Sequence, residues 1–252
     1  MKHIRLAMTF VLTAVVTTAL AQAPPPTGVL PEPKSAVIPR FDTKVTIDGV
    51  LDEAVWQKAA RLTPFVQHDT MATARVTTEV RVWYDNAALF LGWTCEDGDI
   101  QATFTQHDSR FWEEEVAEFF VTPSGLNRYF ELQWNPLGGT FDAIINNELA
   151  PDGQSVKMQG DWSYTAKTMT SAVKVNGSVQ NSNDRDQRWT IEARIPFSDL
   201  NASTPAAGTV WRANFYRFNR DRGAEAEQLS WSPTVWPGFH QPARFGYLRF
   251  GQ

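Results

Sequence analysis

The chain has one cysteine, four histidines and no surplus of basic residues, and each shortage removes a class of function. Cys95 has no second cysteine to bridge to, and it sits in FLGWTCED, a strand-like stretch where a buried, inert thiol is expected. Neither paired-cysteine spacing nor an H-x-x-x-H pattern occurs, so a transition-metal centre is not expected. The formal net charge is -5, whereas nucleic acid calls for a basic patch. Beyond the N-terminus, no apolar run approaches the roughly 20 residues of a membrane helix, so no membrane insertion is expected. A nucleophile-elbow G-x-S-x-G and a zinc-protease motif are also missing. A soluble domain with a neutral partner fits these exclusions.

What is present begins with MKHIRLAMTFVLTAVVTTALAQA, in which Lys2 and Arg5 precede an apolar run and a small-residue cleavage site. Residues 1–21 therefore read as a secretory signal peptide, and the mature chain is expected to start near Gln22 in the periplasm or outside the cell. Residues 22–39 are proline-rich and read as an extended leader. Residues 40–252 are the right size for one large β domain.

Within that domain, alternating segments separated by turn signals recur at short intervals. Strands are expected at Thr43–Ile47, Thr77–Tyr84, Ala88–Cys95, Glu115–Thr122, Arg128–Asn135, Phe141–Asn146, Ser171–Val175, Trp189–Pro196, Val210–Asn219, Gln228–Trp231 and Phe245–Phe250. One short helix is expected over Leu51–Ala60, where apolar residues recur at helical spacing with acids early and a lysine late. The fold class is all-β: an antiparallel β-sandwich, immunoglobulin-like or jelly-roll, with one short N-terminal helix.

Ten tryptophans exceed what such a domain ordinarily carries. Most should be core, but tryptophan also serves binding surfaces that keep one ring edge wet. The stretch Phe111–Asp142, FWEEEVAEFFVTPSGLNRYFELQWNPLGGTFD, places Trp112 before an acidic strand. In ELQWN, strand alternation puts Glu131, Gln133 and Asn135 on one face, a polar row suited to a hydroxyl-rich ligand. Arg217, with Asn219 and Arg220, adds a candidate cluster, since the guanidinium fork suits hydroxyl and carboxylate partners.

Several segments together resemble the family 9 carbohydrate-binding modules and the wider DOMON-like β-sandwich group. They are IDGVLDEAVW (Ile47–Trp56), VRVWYDNAALFLGWTCED (Val80–Asp97), WEEEVAEFF, RYFELQWNPLGGTFD (Arg128–Asp142), WTIEARIPFSDL (Trp189–Leu200), WRANFYRFNR (Trp211–Arg220) and the ending through Phe250. The resemblance implies a sugar ring clamped between two aromatic side chains, with its hydroxyls held by polar residues on neighbouring strands. Carried onto this chain, Trp112 stands at the first clamp position and Glu118 at that of a sugar-contacting carboxylate. Glu131 and Gln133 stand where known sugar binders have an arginine and an asparagine. The second clamp falls at Phe239, with Trp236 as its alternative. Structural calcium, also implied by the family, would find oxygens at Glu96, Asp97 and Asp99.

The resulting expectation is a secreted, non-catalytic module binding a polysaccharide or oligosaccharide by stacking and hydrogen bonds. Packing roles remain open for the same residues: Trp112 as a plug, Glu118 as an ion-pair partner, Gln133 on a plain surface. Three other functions stay in view. A glycoside hydrolase would draw on Glu113, Glu114, Glu115 and Glu118. A haem-binding electron-transfer domain would draw on Met71, Met158, Met169, His68, His107 and His240. An envelope protein-interaction module is the third.

Overall fold

The period-2 segments become strands, and the computed structural model describes residues 30–181 and 183–252. The signal peptide and the start of the leader lie outside the described residues. In chain order the strands are β1 (Ser35–Ile38), β2 (Ala60–Leu62), β3 (Val66–Gln67), β4 (Thr78–Tyr84), β5 (Ala88–Glu96), β6 (Val116–Thr122) and β7 (Arg128–Trp134). They continue with β8 (Thr140–Leu149), β9 (Ser155–Asp161), β10 (Thr170–Asn176), β11 (Arg188–Pro196), β12 (Val210–Asn219), β13 (Glu227–Ser230) and β14 (Gly246–Phe250).

Two sheets result, as a β-sandwich requires. The larger runs β1-β14-β12-β6-β7-β8-β9, with β13 also on β12 and β3 on β13; the smaller runs β10-β11-β5-β4-β2. Their facing sides share one core. Phe119, Leu132, Trp211, Phe215 and Leu248 from the larger sheet meet Val80, Leu91, Trp93, Ile191 and Ile195 from the smaller. Trp93 reaches Phe215 across the gap at a ring-centroid distance of 5.7 Å. Each such buried side chain contributes about 1.5–3 kcal/mol of hydrophobic stabilisation.

Both outer faces carry further apolar clusters. On the smaller sheet, Trp83 and Phe90 stack at 3.8 Å, and Val55, Trp56 and Ala59 from the N-terminal segment cover them. On the larger sheet, Phe120, Tyr129, Phe141, Tyr216 and Phe245 form a second cluster.

Three expectations change. The helix expected over Leu51–Ala60 is not shown; that segment is a run of turns, with Trp56 N–H donating to Glu53 O at 3.0 Å and Lys58 N–H to Val55 O at 2.9 Å. A segment this short is marginal as a helix, and docking Trp56 onto the sheet governs its path. Thr43–Ile47 is no strand: Val45 and Ile47 lie across the smaller sheet's outer cluster instead of pairing at an edge. Ser35–Ile38, assigned from sequence to the leader, forms β1 and pairs in parallel with β14 through Ser35↔Tyr247, so the sandwich is not wholly antiparallel.

Candidate binding cleft

Cross-strand register builds the floor of a cleft on the larger sheet's outer face. Tyr216 of β12 lies opposite Glu118 of β6, Glu118 opposite Gln133 of β7, and Gln133 opposite Phe141 of β8. Directly paired residues share a face. In the next row on that face, Glu131 lies opposite Phe120 and Ala143, diagonal to Glu118. A cleft of about 380 Å³ opens above Glu118, Glu131 and Gln133, within the usual range for small-molecule sites.

Aromatic rings flank this floor in two groups. On the β8–β9 side, Trp112 meets Phe141 edge-on at 5.5 Å and Trp162 at 5.9 Å. Trp112 sits in the 3₁₀ turn Phe111–Glu113. That turn is tied to β12's end by Arg220, whose Nη2 donates to Trp112 O at 2.7 Å and Nε to Glu114 O at 3.0 Å. Trp162 follows β9 and is 51% exposed. It folds back over Gly160, where a Cβ would lie 2.6 Å from the indole Nε1; the absent side chain makes room for the ring. On the β12 side, Phe239 stacks on Tyr216 at 4.1 Å with planes 10° apart, and Phe218 lies 5.0 Å away. The Tyr216 hydroxyl donates to Phe239 O at 2.9 Å, fixing that loop.

The electrostatics of the floor are unusual for a buried acid pair. Gln133 Nε2 donates to Glu131 Oε1 at 2.6 Å, while Gln133 Oε1 has no partner. Glu118 is 2% exposed, and no donor of the described residues reaches its carboxylate. Burial, then the nearby Glu131 charge, pushes the Glu118 carboxyl well above the usual carboxylate range. Burial raises Glu131 to about 7, against a smaller opposing pull from the Gln133 hydrogen bond. His240, also on the lining, has its Nδ1 2.5 Å from the Tyr129 hydroxyl, and burial lowers it to about 4. It is neutral at ordinary pH, and no lysine or arginine lines the cleft.

Of the residues singled out from sequence, Trp112, Glu118, Glu131, Gln133 and Phe239 come together here. Arg217 does not. Alternation turns it to the face opposite Tyr216 and Phe218, into the sandwich interior. There, fully buried, it donates to Asp97 Oδ2 at 2.7 Å, Asn219 Oδ1 at 2.7 Å and Glu96 O at 2.8 Å. It is a structural ion pair, and the reading of it as a ligand residue is corrected. Trp236 is half-buried and outside the lining, whereas Phe239 is on it. Asn135 leaves the polar row, since its amide bridges Phe104 O and Gly139 N–H at the β7–β8 turn.

Of the oxygens considered for calcium, those of Asp97 and Asp99 accept from protein donors, and Glu96 contributes its backbone carbonyl to Arg217. Asp97 serves Arg217, and Asp99 accepts from Gln101 Nε2 at 2.5 Å and Arg222 N–H at 2.8 Å. Elsewhere, His107, Asp108 and Asp142 bring one ligand atom each within 4.8 Å of one another. Glu114 and Glu115 likewise accept from the loop before them, Glu114 from Phe104 N–H at 3.1 Å and Glu115 from Gln101 N–H at 3.0 Å. Cys95 is fully buried and its thiol is pushed up to about 12 by burial, as an inert core residue requires.

The sequence reading did not place Phe141, Met158, Trp162, Phe218 or His240 at the sugar site, and all of them line the cleft. The signal available for Trp162 was the tryptophan excess itself. Among the ten tryptophans only Trp112, Trp162 and Trp236 are not buried, and two of those three form the cleft's wall.

Residues 68–250 match the family described as Carbohydrate-binding family 9. No curated protein sequence matches the chain. Among solved structures, a candidate carbohydrate-binding protein from Bacteroides uniformis is similar at 20% identity and TM-score 0.65, covering 87% of this chain and 100% of its own. A family 9 module from Caldicellulosiruptor kristjanssonii solved with cellotriose is similar at 15% identity and TM-score 0.55, covering 87% of this chain and 95% of its own. The same kind of module from that organism, solved with glucose, gives 15% identity and TM-score 0.54, covering 86% and 96%. These likenesses establish a common fold.

Proposed function

Since this chain belongs to carbohydrate-binding family 9, we propose that it is a secreted, non-catalytic module that binds an oligosaccharide or a polysaccharide end in the cleft of its larger sheet. The observation that carries this reading is the cleft's construction: flat aromatic walls at Trp112, Trp162 and Phe239 around a floor of Glu118, Glu131 and Gln133. A pyranose has apolar C–H faces that pack on rings and a rim of hydroxyls that need directional partners. Here the floor offers acceptors still without donors, which sugar hydroxyls supply. The family 9 modules solved with cellotriose and glucose make β-linked glucans a first ligand series to try.

Catalysis fits the cleft less well. A glycosidase sets two carboxyls on opposite sides of one bond, roughly 5–9.5 Å apart, whereas Glu118 and Glu131 lie side by side on adjacent strands of one floor. Export rests on the signal peptide over residues 1–21, and an N-terminus at Gln22 in protein recovered outside the cytoplasm tests it. Among the described residues no helix is long and apolar enough to cross a membrane.

Titration of the purified protein with soluble glycans, followed by tryptophan fluorescence, tests binding. Wild type should respond with saturation, and Trp112→Ala should weaken the affinity by at least about tenfold, the loss of one well-packed aromatic contact. Saturation that survives Trp112→Ala unchanged would place the ligand elsewhere.

A further inference from the structure

We infer that the cleft selects a sugar carrying a primary amine, so that the preferred ligand is a glucosamine-type saccharide and not its neutral counterpart. The inference rests on the carbohydrate-binding reading above and concerns which saccharide that site takes. Three observations lead to it.

The first is charge. Two carboxyl groups, Glu118 and Glu131, share the floor, while the lining contains no lysine or arginine. Elsewhere the same fold neutralises its buried acids from within: Asp97 takes the Arg217 guanidinium at 2.7 Å, and Glu227 has Arg75 at 3.7 Å. Glu192 and Asp186, which have no cation, each accept two backbone N–H bonds instead; Glu118 has neither a cation nor a donor among the described residues.

The second is hydrogen bonding. Glu118 has no donor among the described residues, Glu131 has a single amide donor, and Gln133 Oε1 has none. All three are at least nine-tenths buried and line the same cavity. An ammonium group carries three donors and no acceptor, matching a floor that offers oxygens. The third is the walls. Aromatic faces attract cations as well as sugar C–H groups, and Trp112, Trp162 and Phe239 surround the acids. Aromatic walls over unpaired acids suit a ligand that is at once a pyranose and a cation. In the free protein burial favours the protonated form of both acids. A bound ammonium favours their ionised form, and any proton displaced passes to solvent.

The test compares three β-1,4 disaccharides that differ only in the substituent at C2 of each ring: that of glucosamine, that of N-acetylglucosamine, and cellobiose. Affinity is read by calorimetry at pH 7 and low salt. The amine sugar should bind at least about tenfold tighter than either neutral one, and Glu118→Gln/Glu131→Gln should bring that ratio close to one. Wild-type preference should also shrink as pH falls from about 7, where Glu131 titrates, toward 5, because the carboxyls take up protons while the ammonium stays charged. Cellobiose binding as tightly as the amine sugar overturns the inference and leaves the carbohydrate reading standing. If none of the three, nor any glycan of a wider neutral panel, binds, the carbohydrate reading fails and the inference with it.

Discussion

The sandwich has two outer faces, and each buries carboxyl groups under different arrangements. On the smaller sheet, Glu192 is fully buried and accepts from Asp48 N–H, Gly49 N–H and the Trp56 indole, all at 2.9 Å. The segment that brings these donors approaches so closely that a Cβ on Gly49 would sit 2.9 Å from the Lys174 backbone nitrogen. On the larger sheet, Glu118 and Glu131 are as deeply buried, yet loops flank them instead of closing over them. A buried polar group is costly unless it finds partners. One face meets that demand with the protein's own N-terminal segment, and the other, on the proposed reading, leaves it to a guest. The difference separates a structural lid from the proposed binding site on two otherwise similar sheet surfaces.

Trp56→Ala should break the closed face most severely. It empties a fully buried site and removes one Glu192 donor, so a loss of about 3–5 kcal/mol is expected in urea unfolding, with glycan affinity kept in the folded fraction. Glycan affinity that falls while stability holds would reverse the roles given to the two faces. Arg217→Met should be nearly as damaging, by about 3–5 kcal/mol, because Asp97 loses its buried cation. If the variant instead folded normally and lost its ligand, Arg217 would belong to the cleft after all.

The open face should respond in the opposite direction. Glu131 is held above its unfolded value, so between about 4.5 and about 7 the folded state binds more protons than the unfolded. Stability therefore falls as pH rises through that window, and the full penalty stands above it. Glu131→Gln should remove the penalty, stabilising the protein at pH 8 by about 1–3 kcal/mol while changing little at pH 4. Thermal melts at the two pH values check the sign, and a variant less stable at pH 8 contradicts it. Smallest of all should be Gly160→Ala. The added methyl displaces Trp162 from 2.6 Å, weakening ligand binding by about threefold to tenfold with stability within about 0.5 kcal/mol. A matching drop in melting temperature would mean that Trp162 is packing and not wall.

Much of this was legible in the chain itself, for identifiable reasons. Glu131 and Gln133 stand out because period-2 alternation assigns a face without knowledge of the partner strand, and the family resemblance adds Glu118 and the stacking role of Trp112. The same alternation, applied to FYRFN, would have turned Arg217 inward and Phe218 outward; choosing the charged residue as the ligand contact overlooked it. β9 was missed because SVKMQGD is exposed along nearly its whole length and so lacks the apolar rhythm that marks a half-buried strand. Trp162 was lost with it. The N-terminal turns misread as a helix show the converse: apolar spacing records that Val55, Trp56 and Ala59 are buried, and the sheet they cover sets the backbone path.

One wall of the cleft stands on β9, the last strand of the larger sheet, and this has a consequence for how the protein can change over generations. Lys157, Met158 and Gln159 are exposed and contribute nothing to the inter-sheet core, so variation there meets little resistance from folding. Yet Met158, Gly160 and Trp162 shape what the cleft admits. Ligand preference can thus drift by substitutions along a margin that selection for stability barely constrains, while the opposite wall, rooted through Tyr216 in the central strands, stays put.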